Sequence, residues 1–149
     1  MKKILIITIL FLTNCGYKPL LINNTSPDLI FSEISTFGNK KINRNVISLL
    51  KIQENKNDLS LDKLILKTEK NNIEILKDSK GRVNTYRLII GLEFSIDNNK
   101  GKVEKKSFEK SFTYNNKSNK SDLVQYQREI EENLINQIIE ELTIYLSLR

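Results

Sequence analysis

The chain lacks the residues on which most catalytic and metal sites depend. It has no His and no Trp, and its single Cys is Cys15. The absence of His and of a second thiol removes the commonest acid–base groups, nucleophiles and zinc-ligand sets. Its five glycines are scattered and form no Gly-rich phosphate loop. We therefore expect no enzymatic activity, no cofactor and no metal site.

Two adjacent acidic pairs, Glu131-Glu132 and Glu140-Glu141, are the remaining candidates for paired catalytic carboxylates. Both pairs fall in a predicted helix, where neighbouring residues do not face each other. We interpret them as part of a solvated helix face.

The charge balance is modestly positive. The chain has 24 basic and 18 acidic residues, a formal net charge of +6. The basic residues are dispersed and form no aromatic-interleaved motif, so the sequence does not indicate nucleic-acid binding. A modest positive charge is compatible with anionic partners such as lipid phosphates.

The N-terminus has the features of an export signal. Lys2 and Lys3 precede an apolar run over residues 4–12, which ends before Cys15. This run has signal-peptide length and is shorter than the roughly 20 residues that span a bilayer. Cys15 could be a buried thiol, but its position resembles the bacterial lipobox, in which the cysteine is acylated and becomes the new N-terminus. Asn14 is larger than the residue usual there, so a secreted chain without an anchor is the alternative.

These features divide the chain into three parts. Residues 1–14 are predicted to be a lipoprotein signal peptide, and residues 15–28 a lipidated N-terminus and tether. Residues 29–149 are predicted to form one domain, a normal length for a two-layer core.

The first half of this domain contains a helix flanked by strands. Residues 29–35 predict a short strand, and Gly38-Asn39 a turn or cap. Residues 40–53 predict an amphipathic helix with a buried face, formed by Ile42, Val46, Leu49 and Leu50. Two β-like runs, 63–68 and 73–76, are joined by polar residues and could form one long bulged strand or a hairpin.

The second half has a clearer pattern. Residues 86–97 alternate apolar with mostly polar side chains, which predicts a strand with one apolar face. A turn at 98–101, a returning strand at 102–114 and a polar loop at 115–120 follow. A capping box of Asp122 and Gln125 would begin a helix of roughly 25 residues, about 38 Å long and longer than the strands it covers.

The predicted fold class is therefore α+β, with the element order β-α-β-β-β-α. We expect a two-layer sandwich in which two helices pack on a mostly antiparallel four-stranded sheet.

The sequence resembles one known family. Residues 15–20, Cys-Gly-Tyr-Lys-Pro-Leu, are similar to the Cys-Gly-Phe-x-Pro-Leu start of the lipopolysaccharide-assembly lipoprotein family, LptE. The downstream pattern is also similar: Tyr86-Arg87-Leu88 opens a strand, residues 97–101 form a turn, Ser111-Phe112-Thr113-Tyr114 closes the next strand and a long amphipathic helix follows.

The resemblance implies an outer-membrane protein anchored by its N-terminal lipid. Its domain would lie on the periplasmic side or within an LptD-type β-barrel partner, and would help deliver lipopolysaccharide to the outer leaflet. The alternative is another outer-membrane accessory lipoprotein, either a secretin pilot or a barrel-assembly accessory. A third possibility is a structural lipoprotein without a dedicated partner.

Direct binding of lipopolysaccharide would require cations for its phosphates at strand ends and loops. The candidate contacts flank Tyr86 and Tyr114 in sequence; they are Lys77, Lys80, Arg82, Lys117 and Lys120. For any single residue of this set, ordinary loop charge is the alternative interpretation.

Overall fold

The computed structural model describes residues 29–98 and 101–148. The predicted signal peptide, Cys15 and the tether lie outside the described residues. In chain order the elements are β1 (Ile30–Phe31), β2 (Glu33–Gly38), α1 (Lys40–Leu49), β3 (Gln53–Glu54), β4 (Lys63–Lys77), β5 (Val83–Asn98), β6 (Lys102–Asn115) and α2 (Lys120–Ser147).

The main sheet has four strands in the order β2-β4-β5-β6. The β2 and β4 strands are parallel, and the other two pairs are antiparallel. The predicted α+β class and element order are confirmed. The strand predicted over residues 29–35 is divided into β1 and β2, and β1 pairs in parallel with β3, which was not predicted.

The core lies between one face of the sheet and the two helices. On β5 the alternating apolar residues are buried, as predicted; they are Leu88, Ile90, Leu92, Phe94 and Ile96. The α2 helix covers them with Ile130, Leu134, Ile135, Ile138 and Leu142. Each such side chain contributes about 1.5 to 3 kcal/mol when fully buried. In the described part of the chain, no helix covers the other face of the sheet.

The β4 strand resolves the alternative between a bulged strand and a hairpin. It is one strand of 15 residues that continues through the polar residues 70–72. It pairs with β5 from Lys63 opposite Asp97 to Lys77 opposite Val83, with register shifts between Glu74 and Lys77. The polar residues fit in the strand because its second half is exposed.

The α1 helix is shorter than predicted and uses a partly different buried face. It ends at Leu49, because Lys51 has a positive φ of 52° and Gln53 joins β3. Leu49 is 57% exposed, so its predicted burial was wrong. The buried Asn43 instead donates to the Phe37 carbonyl at 2.9 Å and accepts from the Thr68 hydroxyl at 2.9 Å.

The start of α2 also differs from the prediction. Asn119 is the N-cap, and its side chain accepts a hydrogen bond from the Ser121 amide at 2.9 Å. The capping box was therefore wrong, and Gln125 instead donates to Glu129. At 1.5 Å per residue the 28-residue helix spans about 42 Å. It is shorter than β5, whose 16 residues span about 53 Å.

The sheet has two ends with different loops. At one end, which we call the entry end, the chain passes from Leu29 into β1 and β2. The β5–β6 turn lies at the same end. It is closed by Gly101, which has a φ of +76°, and by hydrogen bonds from the Gly101 and Lys102 amides to Asn98. This turn was predicted. The opposite end, which we call the loop end, consists of residues 78–82 and 116–120.

Candidate functional site

The β4–β5 loop is organised by one carboxylate. Asp78 accepts hydrogen bonds from the amides of Lys80 and Arg82, each at 2.9 Å, and from Arg82 Nε at 2.8 Å. The hydrogen bonds from Arg82 hold the pKa of the Asp78 carboxyl below its usual value. The Arg82 side chain remains 75% exposed, so the loop presents its guanidinium to solvent.

The β6–α2 loop lies directly against this first loop. The Asn116 amide donates to the Asn84 carbonyl at 2.8 Å, and the Asn116 side chain donates to the Val83 carbonyl at 2.7 Å. As a result, Arg82 and Lys117 line the same shallow surface depression.

A cluster of three tyrosines supports the loop end. The Tyr86 and Tyr114 rings are stacked with centroids 5.6 Å apart, and Tyr126 meets Tyr114 edge-on at 6.1 Å. The Lys117 ammonium lies 4.3 Å from the centroid of the Tyr126 ring, a cation–π contact. The cluster therefore positions Lys117 through its aromatic faces.

The central tyrosine is also held by its hydroxyl group. The Tyr114 hydroxyl donates to Asn72 Oδ1 and accepts from Gln127 Nε2, each at 2.9 Å. These bonds connect β4, β6 and α2 next to the loop end. The tyrosine cluster thus links β4, β5, β6 and α2 beside the two loops through its ring contacts and the Tyr114 hydroxyl.

The five predicted cations lie at the loop end or directly beside it. Lys77 is the last residue of β4 and pairs with Glu74 at 3.1 Å, and Lys80 is in the β4–β5 loop. Lys120 was predicted in a loop, but it is the first residue of α2. The structure brings Arg82 and Lys117 together, whereas Lys120 lines a neighbouring depression with Arg128.

Arg128 was not singled out from the sequence. It follows Lys120 by eight residues, which places the two residues about 80° apart around a helix, within one broad face, and this spacing was the available signal. We use the name cationic cluster for Lys77, Lys80, Arg82, Lys117, Lys120 and Arg128. Multiple exposed cations on one strand end, two adjoining loops and one helix can bind a ligand with several phosphates.

A second charged site is buried between the two helices and the sheet. Glu131, with its side chain only 5% exposed, accepts hydrogen bonds from Lys41 on α1 and Lys70 on β4. Burial raises the pKa of the Glu131 carboxyl, but the two lysines outweigh it and hold the pKa below its usual value. The prediction that Glu131 belongs to a solvated helix face was wrong. Its neighbour Glu132 is exposed, as predicted.

The described residues were also compared with the requirements of a metal site and of a membrane-spanning helix. Residues 29–98 and 101–148 contain no group of three or more acidic, Cys or His side chains placed to hold a metal ion. Neither helix in these ranges combines the length and the apolar character required to cross a bilayer.

Comparison with known proteins gives one family match. The model of the LptE family, described as lipopolysaccharide-assembly, matches residues 30–146. No curated protein has a sequence that matches this chain.

Solved structures with a similar fold include two bacterial lipoproteins. Rare lipoprotein B from Shewanella oneidensis has a TM-score of 0.51 at 15% identity, with 78% of this chain and 91% of that chain covered. A minor lipoprotein from Acinetobacter baumannii has a TM-score of 0.53 at 16% identity, with 80% and 93% covered. At these identities the likeness establishes the fold.

Proposed function

The chain belongs to the LptE lipopolysaccharide-assembly family, and from that membership we propose that it is an outer-membrane lipoprotein that forms a complex with an LptD-type β-barrel. In this complex it assists transport of lipopolysaccharide to the outer leaflet. The family is a non-enzymatic transport component. The observation that carries the proposal is the extent of the match, because residues 30–146 include every strand and nearly all of both helices.

The cationic cluster supports direct contact with lipopolysaccharide. Its six residues lie at the end of β4, in the two loops and in the first turns of α2, and all are exposed at the residue level. Phosphates bind most strongly to charged donors such as these, with Arg able to donate in a bidentate manner. We propose that Arg82 and Lys117 contact one phosphate group, since they line one depression.

The described chain begins at the end of the sheet opposite the cationic cluster. The described chain enters at Leu29 beside the start of β4, and the cationic cluster lies at the other end of that strand. Fourteen residue steps from Lys63 to Lys77 correspond to about 46 Å. Leu29, where the described residues begin, therefore lies at the end of the sheet remote from the proposed phosphate contacts.

The helix-free face of the sheet suits a polar environment. Ion pairs cross it at Lys67–Glu69 and Lys105–Glu93, and Arg87 donates to Thr113. The interior of a transmembrane β-barrel is polar. This surface is therefore compatible with a position inside such a barrel.

Copurification tests the proposed complex. The full chain carrying a C-terminal tag, extracted in mild detergent, is expected to recover an LptD-type barrel in a fixed ratio. A matched bait is the same protein with Leu134→Asp and Ile138→Asp, which disrupts the core and should recover none. Recovery of a secretin, of the barrel-assembly machinery or of no barrel would refute the proposed partner.

A further inference from the structure

The short loop between β4 and β5 folds back on its first residue. The Asp78 amide donates to the Arg82 carbonyl at 2.8 Å, and the Asp78 carbonyl accepts from the Gly81 amide at 2.9 Å. Gly81 has a φ of +76°, a conformation that glycine adopts without the steric penalty of a side chain. The turn therefore brings Arg82 back beside Asp78.

The Asp78 carboxylate holds the Arg82 side chain at one specific atom. Its Oδ2 accepts from Arg82 Nε at 2.8 Å, while its Oδ1 accepts from the Lys80 and Arg82 amides. In the part of the chain that the structure describes, the Arg82 guanidinium makes no other ion pair. A guanidinium bonded through Nε keeps its two terminal NH₂ groups, which can donate two parallel hydrogen bonds to one phosphate.

The Asp78–Arg82 pair adds little to the stability of the fold. The Arg82 side chain is 75% exposed and the Asp78 side chain 31% exposed. Exposed ion pairs contribute little to the free energy of unfolding, because water and salt screen them. The pair does restrict the direction of the guanidinium, since an unpaired arginine side chain samples many rotamers. Ordering before binding lowers the entropy cost that a ligand would otherwise meet.

The second cation of the depression is held independently of the first. Lys117 lines the same depression as Asp78 and Arg82, and its ammonium lies 4.3 Å from the centroid of the Tyr126 ring. The two cations thus reach one depression from two loops, each with its own support. A carboxylate beside them lowers the local positive potential. On net charge alone, Asp78 would therefore weaken the binding of an anion.

We infer that Asp78 is a positioning residue of the phosphate site proposed above, an inference that rests on that proposed function. Its carboxylate holds Arg82 Nε, so that the two terminal NH₂ groups are presented to one phosphate as a bidentate pair. Lys117 adds a single ammonium to the same phosphate. A lysine at position 82 would keep the charge but not the planar fork that serves both partners. Asp78 thus strengthens phosphate binding despite its own negative charge.

The direction of the effect of Asp78→Asn is the first test. Asparagine keeps an oxygen for the loop amides but loses the acceptor for Arg82 Nε, and one negative charge is removed. Net charge alone predicts tighter binding of the full chain in detergent to purified lipopolysaccharide. The positioning role predicts binding weaker by about threefold or more. Lipopolysaccharide stripped of its phosphates should show no difference between Asp78→Asn and the wild-type chain.

Glu33→Gln is the matched control for this substitution. Glu33 forms an exposed ion pair with Lys63 at 3.0 Å, at the entry end of the sheet. Its replacement removes the same negative charge far from the cationic cluster, so it should not weaken binding. An equal loss of affinity in Glu33→Gln and Asp78→Asn would overturn the positioning role.

A double variant shows whether Asp78 acts through Arg82. Arg82→Lys keeps the charge and removes the fork, so binding is expected to weaken by about threefold or more. Adding Asp78→Asn to Arg82→Lys should then cause no further loss, because the two substitutions break one interaction. A loop that was merely loosened would lose affinity additively. If Asp78→Asn does not fold by circular dichroism, Arg82→Lys decides, and wild-type affinity in that variant overturns the inference.

Failure of the positioning role and failure of the phosphate site give different results. If Asp78→Asn binds as tightly as the wild-type chain while Arg82→Glu with Lys117→Glu loses affinity, the phosphate site stands and the positioning role is overturned. Additive losses from Asp78→Asn and Arg82→Lys overturn it as well. If the charge-reversed chain binds like the wild-type chain, the proposed phosphate contact is itself wrong, and the positioning role is overturned with it.

Discussion

Glu131 Oε1 on α2 lies 3.1 Å from the Lys41 ammonium on α1, and this contact joins two helices through residues that are 90 positions apart in the chain. Lys70 of β4 binds the other oxygen of the same carboxylate. The carboxylate is buried, whereas the Lys41 and Lys70 side chains are 52% and 37% exposed. A single acidic residue thus holds both helices and the sheet together.

Replacement of Glu131 by Ala is expected to lower the free energy of unfolding by about 1 to 2 kcal/mol. This magnitude is that of the hydrogen bonds that the Glu131 carboxylate loses. The loss is no larger because Lys41 and Lys70 are partly exposed, so water can hydrate their ammonium groups after the carboxylate is removed. Urea unfolding followed by circular dichroism measures it. Glu132→Ala, at the exposed neighbouring position, should change stability by less than about 0.5 kcal/mol. Equal losses in the two variants would contradict the assigned role.

The same carboxylate predicts a pH dependence of stability. The folded-state pKa of Glu131 lies below the ordinary value of 4.5. Its stabilisation is therefore fully present above pH 4.5 and is lost as the pH falls through the folded-state pKa. Unfolding free energies measured between pH 7 and pH 3 should decline less steeply for Glu131→Gln than for the wild-type chain. Identical pH profiles would show that Glu131 does not contribute in this way.

The sequence could predict those features of the fold that depend on periodicity. The alternation of β5 predicted both its strand conformation and its buried face, because every second residue is apolar. Glu131 could not be predicted in the same way. Its burial depends on Lys41 and Lys70, which come from distant parts of the chain and leave no local pattern around position 131.

At the loop end, too, some features could be predicted from the sequence and others could not. The candidate cations could be found from their positions in polar segments, and all five lie at one end of the sheet. The contact between the two loops could not be predicted, because it depends on the full register of β4 with β5 and of β5 with β6. That register places Asn116 beside Asn84 and thereby brings Lys117 next to Arg82.

Gly38, the last residue of β2, lies against the backbone of Thr68 on β4, and a substitution there tests the importance of this close contact. It has a φ of +84°, and a Cβ atom there would lie 1.8 Å from the Thr68 carbonyl oxygen. Gly38→Ala is expected to destabilise the fold by about 2 to 4 kcal/mol, because it combines backbone strain with a backbone clash. Thermal or urea unfolding measures the loss.

Gly81→Ala is the matched control for this prediction. Gly81 has a similar φ of +76°, but a Cβ atom added there would meet no other atom within 4 Å. Its replacement should cost only the backbone strain, about 1 kcal/mol. If both substitutions had the same effect, the close approach of Gly38 to Thr68 would not be a determinant of stability.

The proposed lipid anchor has a direct test. Cys15→Ala removes the thiol that would be acylated, so incorporation of labelled palmitate should fall to background. Lys18→Ala, close to the same site in the sequence, should leave labelling unchanged. Persistent labelling of the Cys15→Ala chain would refute acylation at this residue.

Charge reversal tests whether the cationic cluster binds lipopolysaccharide. Arg82→Glu combined with Lys117→Glu replaces two cationic side chains that would donate hydrogen bonds to a phosphate with two carboxylates that repel it. Binding to purified lipopolysaccharide should therefore weaken at least tenfold. The control, Lys102→Glu with Lys106→Glu, makes the same change in net charge at the β6 edge. If both double variants lose affinity equally, the attraction arises from net charge and not from the cluster. A loss confined to the first variant, and reduced at high salt, would instead locate phosphate binding at the loop end, because exposed charge pairs are screened by ions.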